Sequence, residues 1–545
     1  MTSAATGQAD QASRRTFITL SVMVATIMQA LDTTIANVAL PHMQGAMGAT
    51  QDQISWVLTS YIVAAAIFMP LTGFISARIG RKRLFMWSVA GFTVASMLCG
   101  AAQSLEQIVL FRLLQGIFGA SLVPLSQAVL LDTYPPEKHG SAMALWGIGV
   151  MVGPILGPSL GGWLTEYYNW RWVFYINLPF GLLAWFGLAA FIEETKIDAS
   201  RRFDLLGFAL LSLGIGALQM ALDRGESQNW FASREIVIET ALMVMAFYLF
   251  VVHIFTHPHP YIEPALFRDR NFSVGLLFIF IVGIILLATM TLLPPFMQGL
   301  MGYPVIDVGY LLAPRGVGTM VAMMLVGRLS GRVDARYLIL SGLLLTSFSM
   351  WEMTLFNTDI GSWDIVRTGI IQGLGLGFIF VPLSTITFAT LAPRYRNEGT
   401  ALFSLVRNIG SSIGISVVIT YLAQRSQMNH EAFAAYITPF NVNLHQGGGM
   451  AELMTPKGLA MINGEVTRQA SLLAYLQDFR LMMWVSLCAV PLVVLLRAPG
   501  RSGSRSQRLS GGDGHSGMNH EGASNKARGM AQAIPLSFGR ISVPA

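Results

Sequence analysis

The sequence MQALDTTIANVALP (Met28–Pro41) lies in an apolar run that begins at Phe17. A run of about 17 to 25 mostly apolar residues can cross the roughly 30 Å hydrocarbon layer of a membrane as a helix. Asp32 interrupts the second half of this run. A charge at that depth costs roughly 2.5 to 3.5 kcal/mol on insertion scales, so a span that retains one is expected to use it.

The composition indicates a protein with many membrane spans. Of the 545 residues, 53% are hydrophobic and only 12% are charged, whereas soluble domains carry about 25% charged residues. The net charge of +6 does not indicate nucleic-acid binding, because the basic residues form short clusters between apolar runs. Cys99 and Cys488 lie inside apolar runs without metal-ligand spacing, so neither a disulfide framework nor a metal site is predicted.

About fourteen apolar runs are long enough to span a membrane, which predicts an all-α polytopic fold. The predicted spans are 16–40, 54–76, 84–103, 107–131, 141–163, 172–192, 205–222, 236–255, 272–298, 308–331, 337–356, 364–390, 400–423 and 480–497.

Lys and Arg recur in alternate connections between these spans, and basic connections normally face the cytoplasm. Both termini are therefore predicted to be cytoplasmic. The basic connections contain Arg78, Arg81, Lys82, Arg83, Lys138, Lys196, Arg201, Arg202, Arg268, Arg270, Arg332, Arg336, Arg394 and Arg396.

Short motifs recur about 255 residues apart in the chain. The pair Gln115–Gly116 precedes VPLS and EKHGSA, and the pair Gln372–Gly373 precedes VPLS and RNEGTA. Internal repeats are typical of transporters with a site between two related bundles. We therefore predict two six-helix bundles (16–195 and 263–497) and a two-helix insert (196–262). The other predicted segments are a cytoplasmic N-terminal tail (1–15), a periplasmic loop (about 424–478) and a disordered cytoplasmic C-terminal tail (498–545).

Asp32 and Arg112 are predicted to lie at a similar depth, because each is about eight residues from the outer end of its span. Pairing would lower the insertion cost of both, and a carboxylate beside an arginine at a cavity edge could bind and release a proton. The alternatives are a structural ion pair, or an Asp32 that caps a helix break before Thr33 and Thr34. The other acids considered fall near predicted span ends, so Asp32 is the candidate for proton coupling.

The fifth predicted span has glycine at every fourth position and two prolines: Gly149, Gly153, Pro154, Gly157, Pro158 and Gly161. Glycines at this spacing share one helix face and allow close contact with a neighbouring helix. Proline removes a backbone hydrogen bond and bends a helix. The pattern indicates either a packing surface or a hinge between conformations.

The segment LDTTIANVALP (Leu31–Pro41) resembles the first-span signature of the drug:proton antiporters of the major facilitator superfamily. Arg112, Gln115 and Gly116 are similar to the fourth-span R-x-x-Q-G motif of that superfamily. The fifth-span antiporter motif is matched by Gly149, Gly153, Pro154, Gly157, Pro158, Gly161 and Gly162. Three further segments resemble the fourteen-helix subgroup of these antiporters: WRWVFYINLP (Trp170–Pro179), LVRNIGSSIG (Leu405–Gly414) and QASLLAYLQDF (Gln469–Phe479). EmrB-type exporters are the most similar group, over roughly residues 15–497.

The resemblance implies two six-helix bundles, a central helix pair and alternating access in the bacterial inner membrane. It also implies export of hydrophobic or amphipathic compounds in exchange for protons, with Asp32 as the coupling carboxylate, Arg112 as its partner and the fifth-span motif as the hinge. No cofactor is implied, since the proton gradient drives transport, and no nucleotide-binding G-x-x-x-x-G-K-[ST] motif occurs. The implied partners are a periplasmic adaptor (a membrane fusion protein) and an outer-membrane channel.

The loop between spans two and three departs from the family pattern G-x-x-x-D-R-x-G-R-[KR], because Ala77 stands at the aspartate position. The family's charge relay on the cytoplasmic side is therefore not assumed, and the segment could be only a basic anchor. The candidate residues of a cytoplasmic gate are Gly73, Arg78, Gly80, Arg81 and Lys82. The candidate residues of a substrate cavity are Asn37, Gln115, Gln298 and Arg407.

We predict a proton-coupled multidrug exporter that prefers neutral compounds, weak acids or monocations to dications, because Asp32 is accompanied by two membrane arginines, Arg112 and Arg407. The alternative within transport is a proton-coupled carrier of one endogenous metabolite or siderophore. A membrane-embedded enzyme is not favoured, because the nine histidines are scattered along the chain near predicted span ends. A receptor is not favoured either, because the Gly/Ser-rich C-terminal segment cannot build a core.

Overall fold

The structure is a computed structural model that describes residues 2–195, 197, 203–258, 260–330, 332–438 and 455–497. These residues form seventeen α-helices and no β-sheet, which confirms the predicted all-α fold. Lys196, Arg201 and Arg202 of the predicted insert, residues 439–454 of the predicted periplasmic loop and the predicted tail 498–545 lie outside the described residues.

The first bundle contains nine helices, because three of its spans are divided. Pro70 separates α2 from α3 with a bend of 58°, since proline cannot donate the backbone hydrogen bond that would continue α2. The helices are α1 (Thr2–Met47), α2 (Gln51–Phe68), α3 (Leu71–Ile79), α4 (Arg81–Ala101), α5 (Leu105–Gly119), α6 (Leu122–Thr133), α7 (His139–Tyr167), α8 (Trp172–Tyr175) and α9 (Asn177–Phe191).

The remaining helices form the insert and the second bundle. The insert consists of α10 (Leu205–Arg224) and α11 (Arg234–Thr256). The second bundle consists of α12 (Arg270–Pro295), α13 (Val305–Leu329), α14 (Ala335–Met353), α15 (Ser362–Ala389), α16 (Arg396–Ala434) and α17 (Pro456–Ala489).

Twelve of the described helical segments are long and apolar enough to cross a membrane, and the bent pair α2–α3 makes thirteen. The predicted span 337–356 forms α14, which is not among them. The polar side chains of α14 face the protein interior, since Thr346 and Ser349 are fully buried. α14 therefore completes the predicted set of fourteen as a helix stabilised by its neighbours.

Two segments that were predicted to lie outside the membrane spans are helical. The predicted N-terminal tail 1–15 is part of α1 from Thr2 onward. Most of the predicted loop 424–478 is also helical, because α16 continues to Ala434 and α17 begins at Pro456. Thr455 caps α17 by accepting a hydrogen bond from the backbone N–H of Gly458. The polar sequence of these extensions concealed them from a hydropathy criterion.

The helical extensions of α16 and α17 pair with each other, and we call them the extended hairpin (424–434 and 456–470). Asn429 Nδ2 donates to the carbonyl oxygen of Ala470 at 3.2 Å, and the hydroxyls of Ser426 and Ser471 are 3.0 Å apart. α16 has 39 residues and is about 58 Å long at 1.5 Å per residue. It is therefore much longer than the roughly 30 Å hydrocarbon layer.

The insert contacts both bundles through the end of α10. The hydroxyl of Thr59 in α2 donates to the Asp223 carboxylate. From the second bundle, Ser416 Oγ donates to the carbonyl oxygen of Leu222 at 3.0 Å, and Trp230 Nε1 after α10 donates to Thr420 Oγ1 at 3.0 Å. The insert therefore bridges α2 and α16 at this end of the molecule.

Candidate functional site

Asp32 is buried inside the first bundle and accepts three hydrogen bonds. Arg112 Nη1 donates to Oδ2 at 2.7 Å. Gln115 Nε2 and Asn177 Nδ2 donate to Oδ1 at 2.7 and 2.8 Å. The side chains of Asp32 and Arg112 are each 1% exposed, so the ion pair is shielded from solvent. The contact between Asp32 and Arg112, which the sequence left open, is present.

Arg112 is also fixed by its surroundings. Its Nε donates to the carbonyl oxygen of Val57 at 3.0 Å, and its Nη1 donates to Gln115 Oε1 at 2.8 Å. The guanidinium carbon lies 4.4 Å from the ring centre of Tyr61, a distance suited to a cation–π contact. Arg112 and Gln115 are three residues apart on α5 and therefore share a helix face. The R-x-x-Q spacing thus directs both side chains to one carboxylate.

Asn177 and Ser96 complete the site but were not among the predicted residues. Asn177 Nδ2 also donates to Ser96 Oγ at 2.8 Å, and Ser96 Oγ donates to the carbonyl oxygen of Phe174 at 2.9 Å. Asn177 begins α9, directly after the break that follows α8. The motif WRWVFYINLP contains this asparagine, yet a motif on a distant segment does not reveal which carboxylate its side chain contacts.

The buried Asp32–Arg112 pair depends on the charges of both residues. Its two charges cancel, and removing one partner of such a pair leaves an uncompensated buried charge that costs about 3–5 kcal/mol. A proton on Asp32 would remove the negative charge and leave Arg112 in need of another partner.

The glycines of α7 pack against the turn of α1 that carries Asp32. A Cβ atom at Gly153 would lie 2.4 Å from the carbonyl oxygen of Ala30, and one at Gly157 would lie 2.1 Å from Thr34 Oγ1. Thr34 Oγ1 also donates to the carbonyl oxygen of Gly153 at 3.0 Å. These glycines thus allow an approach that no side chain would permit.

The other motif residues of α7 are less constrained. A Cβ at Gly149 would meet the flexible end of Met23 at 2.5 Å, and one at Gly161 would lie 3.3 Å from the carbonyl oxygen of Ile35. Gly162 has nothing within 4 Å of such a Cβ. The helix continues through both motif prolines, Pro154 and Pro158, as one element.

Comparison with known proteins identifies the family. Residues 22–415 match the model of the Major Facilitator Superfamily. The chain is 36% identical over 496 residues to the fatty acid resistance protein FarB of Neisseria gonorrhoeae, and the matched region covers 89% of this chain and 97% of FarB. It is 35% identical over 491 residues to the multidrug export protein EmrB of Escherichia coli strain K12, and the matched region covers 88% of this chain and 95% of EmrB.

The chain belongs to the major facilitator superfamily. A solved structure supports the fold: the human organic anion transporter MFSD10 (TETRAN) superposes with a TM-score of 0.56 at 14% identity. The superposition covers 87% of this chain and 99% of the human one. The protein is therefore a multi-pass membrane transporter of this superfamily, and its relatives at 35–36% identity identify it as EmrB-type.

The two bundles of the transporter are joined at the basic face, the membrane end that carries Arg81, Asp132 and Arg396. Asp132 of α6 pairs with Arg81 Nη1 at 2.5 Å and with the guanidinium of Arg396 at the start of α16. Asn397 Nδ2 donates to Ser76 Oγ across the same junction at 2.7 Å. Although Ala77 replaces the family aspartate, charged and polar contacts between the bundles are present here.

Some of the predicted gate residues contact the second bundle, and others make contacts within the first bundle. Gly73 faces the second bundle, since a Cβ there would lie 2.6 Å from Glu398 Cγ. Within the first bundle, Lys82 Nζ donates to the carbonyl oxygen of Ala189 at 2.6 Å, and Arg78 lies 6.0 Å from the ring centre of Phe74. Gly80 has φ +97°, a conformation that favours glycine.

Asp132→Asn is expected to loosen the basic face, because it removes the charge that holds both Arg81 and Arg396. Of the two pairs, only Asp132–Arg396 crosses between the bundles, and a partly exposed ion pair contributes up to about 1 kcal/mol, so its loss shifts the opening equilibrium by a factor of up to about 5. Hydrogen–deuterium exchange of segments 71–80 and 393–400 measures this opening.

The matched control for Asp132→Asn is Arg83→Gln, because Arg83 lies on the same face but pairs with Glu194 of its own bundle at 3.8 Å. Exchange in segments 71–80 and 393–400 should not change in this variant. An Asp132→Asn protein that exchanges like the wild type would show that the Asp132–Arg396 pair does not hold the bundles together.

The four predicted cavity residues differ in their exposure and contacts. Gln115 belongs to the Asp32 site, whereas Asn37 is exposed and donates to Thr33 O of its own helix at 3.2 Å. Gln298 is exposed in the π-helical turn that follows α12. Arg407 of α16 is partly buried.

Arg315 is a membrane-embedded cation that the sequence analysis missed. It is 6% exposed, and its Nη2 donates to the carbonyl oxygen of Leu286 at 3.3 Å. Neither Arg315 nor Arg407 forms an ion pair with another described residue. The signal was the same as for Asp32, a charge inside an apolar run.

No metal site was predicted, but one cluster in the described part of the chain could hold a metal ion. Asp204, His253 and His257 of the insert each place a ligand atom within 4.8 Å of the others. Asp204 caps α10 and bonds to His253 Nε2 at 2.8 Å. Burial would raise the pKa of Asp204, but hydrogen bonds from the Gly207 N–H, His253 and the Tyr261 N–H outweigh burial and lower it. The cluster therefore already serves to join α10, α11 and the following segment.

Asp32 is not the only acid that is buried inside the protein. Asp478, which was assigned to the end of the periplasmic loop, lies within α17 and is fully buried. The predicted start of the last span at residue 480 placed it outside the membrane, because the polar first half of α17 lowers the local hydropathy.

Proposed function

We propose that this transporter exports hydrophobic and amphipathic compounds from the cytoplasm in exchange for protons, by alternating access. The observation that carries the proposal is the buried Asp32 carboxylate, which is bound by Arg112, Gln115 and Asn177. Acids inside membrane spans mark ion pathways by default. The relatives support the direction and the substrate class, since their names refer to multidrug export and fatty acid resistance.

The mechanism couples one carboxylate to the packing of two bundles. Protonation of Asp32 weakens its attraction for Arg112, so the α1–α5–α9 contact can rearrange. Because α7 packs closely on the same turn of α1, the rearrangement is transmitted to α7. α7 in turn packs along α13 of the second bundle, so it links the proton site to the relative position of the bundles. We propose that the α7 glycines and prolines form this hinge.

We assign the basic face to the cytoplasm, following the rule that Lys and Arg accumulate inside. The termini are then cytoplasmic and the membrane is the bacterial inner membrane. With this assignment, the Asp132–Arg396 pair closes the transporter toward the cytoplasm. The proton gradient supplies the energy, and the mechanism needs no cofactor.

Membrane arginines favour substrates without multiple positive charges. Arg315 and Arg407 lack carboxylate partners among the described residues, and uncompensated charges inside a membrane are expensive. An anionic or neutral amphiphile reduces this cost, whereas a dication increases it. We therefore propose weak acids and neutral compounds as preferred substrates, with monocations accepted less well.

A periplasmic adaptor and an outer-membrane channel are the proposed partners. The extended hairpin lies at the membrane end opposite the basic face, because α16 begins at Arg396 and continues to Ala434. This position, on the periplasmic side in our assignment, gives an adaptor an exposed helical surface.

The function is tested by proton release from acid-loaded, everted membrane vesicles that contain the full-length transporter. The panel contains a fatty acid and its uncharged methyl ester, an apolar weak acid, a monocationic dye and a dication. Vesicles from cells without the transporter are the control. We expect several unrelated compounds to discharge the gradient, and the dication not to do so.

The other outcomes are also decisive. A response to one ligand alone would favour a carrier of a single metabolite or siderophore. Proton-coupled transport of the dication would contradict the proposed charge preference. Absence of any substrate-dependent discharge would contradict antiport itself.

A further inference from the structure

The second bundle contains a carboxyl group that the mechanism above does not use. Asp478 in α17 is 0% exposed, and neither of its carboxyl oxygens has a hydrogen-bond partner among the described residues. It also forms no ion pair with a described residue. Asp32 is also buried, but its oxygens accept three hydrogen bonds and it forms an ion pair with Arg112.

The surroundings of Asp478 are apolar. Its neighbours on α17, Tyr475 and Phe479, belong to a buried cluster in which both rings contact Phe296, with ring centres 5.4 and 6.1 Å away. The helices packed against α17 add aliphatic side chains to this cluster, Leu292 from α12, Met350 from α14 and Val418 from α16. Tyr475 is the titratable group in electrostatic contact with Asp478.

An ionised carboxylate without a partner is very costly in such a site, so the group takes up a proton instead. In the conformation described here, Asp478 is therefore a neutral carboxylic acid. It can return to the ionised form only when water or a cationic group reaches it.

The internal repeat gives the second bundle a polar contact that is related to the Asp32 site and lies next to the cluster around Asp478. Gln372 is the repeat partner of Gln115, and its Nε2 donates to Thr289 Oγ1 of α12 at 3.3 Å, as Gln115 donates to Asp32 of α1. The first helix of the second bundle therefore carries a hydroxyl where that of the first bundle carries a carboxylate. Gln372 Nε2 also lies 3.8 Å from Met350 Sδ, and Met350 belongs to the cluster around Asp478.

An irregular segment beside the cluster offers a means of exposing Asp478. α12 ends in Pro294 and Pro295 and continues as a π-helical turn from Phe296 to Leu300. Such turns occur frequently at functional sites. Because Phe296 packs directly on Tyr475 and Phe479, movement of this turn would uncover the face of α17 that carries Asp478.

We propose that Asp478 is a second proton-binding site of the transporter, protonated in this conformation and deprotonated when the second bundle rearranges. Each cycle then moves one proton through Asp478 in addition to the proton on Asp32. This inference rests on the proposed proton-coupled export.

The decisive measurement is the number of protons exchanged per substrate, obtained from the reversal potential of the full-length transporter in liposomes. We expect Asp478→Asn to lower this number by one relative to the wild type. Ser486→Ala is the matched control, because it removes a buried polar group of the same helix whose hydroxyl bonds to Leu343 O but carries no titratable proton. Its stoichiometry should equal that of the wild type.

A second measurement needs no substitution at Asp478. Dicyclohexylcarbodiimide reacts with protonated carboxyl groups in apolar sites, so that the acyl oxygen bonds to the carbodiimide carbon and the proton moves to nitrogen. Mass spectrometry of the labelled Asp32→Asn protein should locate the adduct on Asp478, in acidic buffer more than in alkaline buffer. Substrate should change the labelling rate, because it changes the conformation.

The outcomes separate this inference from the proposed function. If the wild type shows no coupling between proton and substrate, the proposed export mechanism fails. If the wild type is coupled, and Asp478→Asn keeps the wild-type stoichiometry while labelling is insensitive to pH and substrate, Asp478 is a structural acid and the second proton site is refuted. If Asp478→Asn does not fold, the labelling of Asp478 decides the question alone.

Discussion

Asp32→Asn is expected to reduce substrate-driven proton release to the level of vesicles without the transporter. The amide has nearly the same shape as the carboxylate and can still bond to Gln115 and Asn177, but it cannot bind and release a proton. The substitution also leaves Arg112 as an uncompensated buried charge, at a cost of about 3–5 kcal/mol. Proton release in acid-loaded everted vesicles, normalised to the amount of folded transporter, measures the effect.

Two further variants separate loss of coupling from loss of stability. Asp32→Glu keeps an acid in the site and should retain part of the coupling. The double variant Asp32→Asn, Arg112→Met removes both charges, and such replacement of a buried pair is often neutral or stabilising. We expect the double variant to recover thermal stability but not proton release. An Asp32→Asn transporter that couples like the wild type would show that the ion pair is structural and would remove the basis of the proposed mechanism.

Gly153→Ala is expected to cause the second large loss of transport. The new Cβ would lie 2.4 Å from the carbonyl oxygen of Ala30, which is backbone and cannot rotate away. α1 and α7 must separate, and overpacking of this kind costs about 1–3 kcal/mol. Because Ala30 lies two residues before Asp32, the same displacement moves the carboxylate away from Arg112. The temperature of thermal unfolding and the rate of substrate-driven proton release should both decrease.

Gly162→Ala is the matched control, since it lies on the same helix and in the same motif but has nothing within 4 Å of the new Cβ. Alanine in a helix is favoured over glycine by about 0.5–1 kcal/mol, so this variant should be as stable as the wild type or more so. Gly157→Ala should lie between the two, because the side chain of Thr34 can partly move. Equal effects of Gly153→Ala and Gly162→Ala would contradict the role of close packing at Gly153.

The sequence predicts a similar depth for Asp32 and Arg112, which makes their contact possible but leaves it open. Helix rise converts residue number into depth, and both charges gain by pairing inside a membrane. The same reasoning does not reveal Asn177, because an asparagine near a span end carries no charge that must be compensated. Its contact with Asp32 depends on how α9 is rotated and placed, which only the packing of the whole bundle determines.

The errors of prediction have a common cause in the hydropathy criterion. α17 is amphipathic in its first half, so the criterion began the span at residue 480 and left Asp478 outside it. Arg315 was overlooked inside an otherwise apolar run. In each case, polar residues that face protein instead of lipid obscure the boundary or the content of a span.

The repeat was visible in the sequence, but its functional asymmetry was not. The two Gln-Gly motifs predict equivalent positions in the two bundles, and Gln115 and Gln372 indeed each donate to the first helix of their own bundle. The partner is a carboxylate in one bundle and a hydroxyl in the other. This difference lies outside the repeated motif, so comparison of the motifs alone could not find it.

The extended hairpin has a mechanical consequence. With α16 about 58 Å long, its tip lies roughly 40 Å from the middle of the membrane. Rigid-body rotations of about 15° are known in protein transitions, and such a rotation of the second bundle would displace the tip by about 10 Å. The hairpin then acts as a lever arm that amplifies small changes near the membrane centre. A protein bound to its tip would therefore be displaced by about one nanometre in each transport cycle.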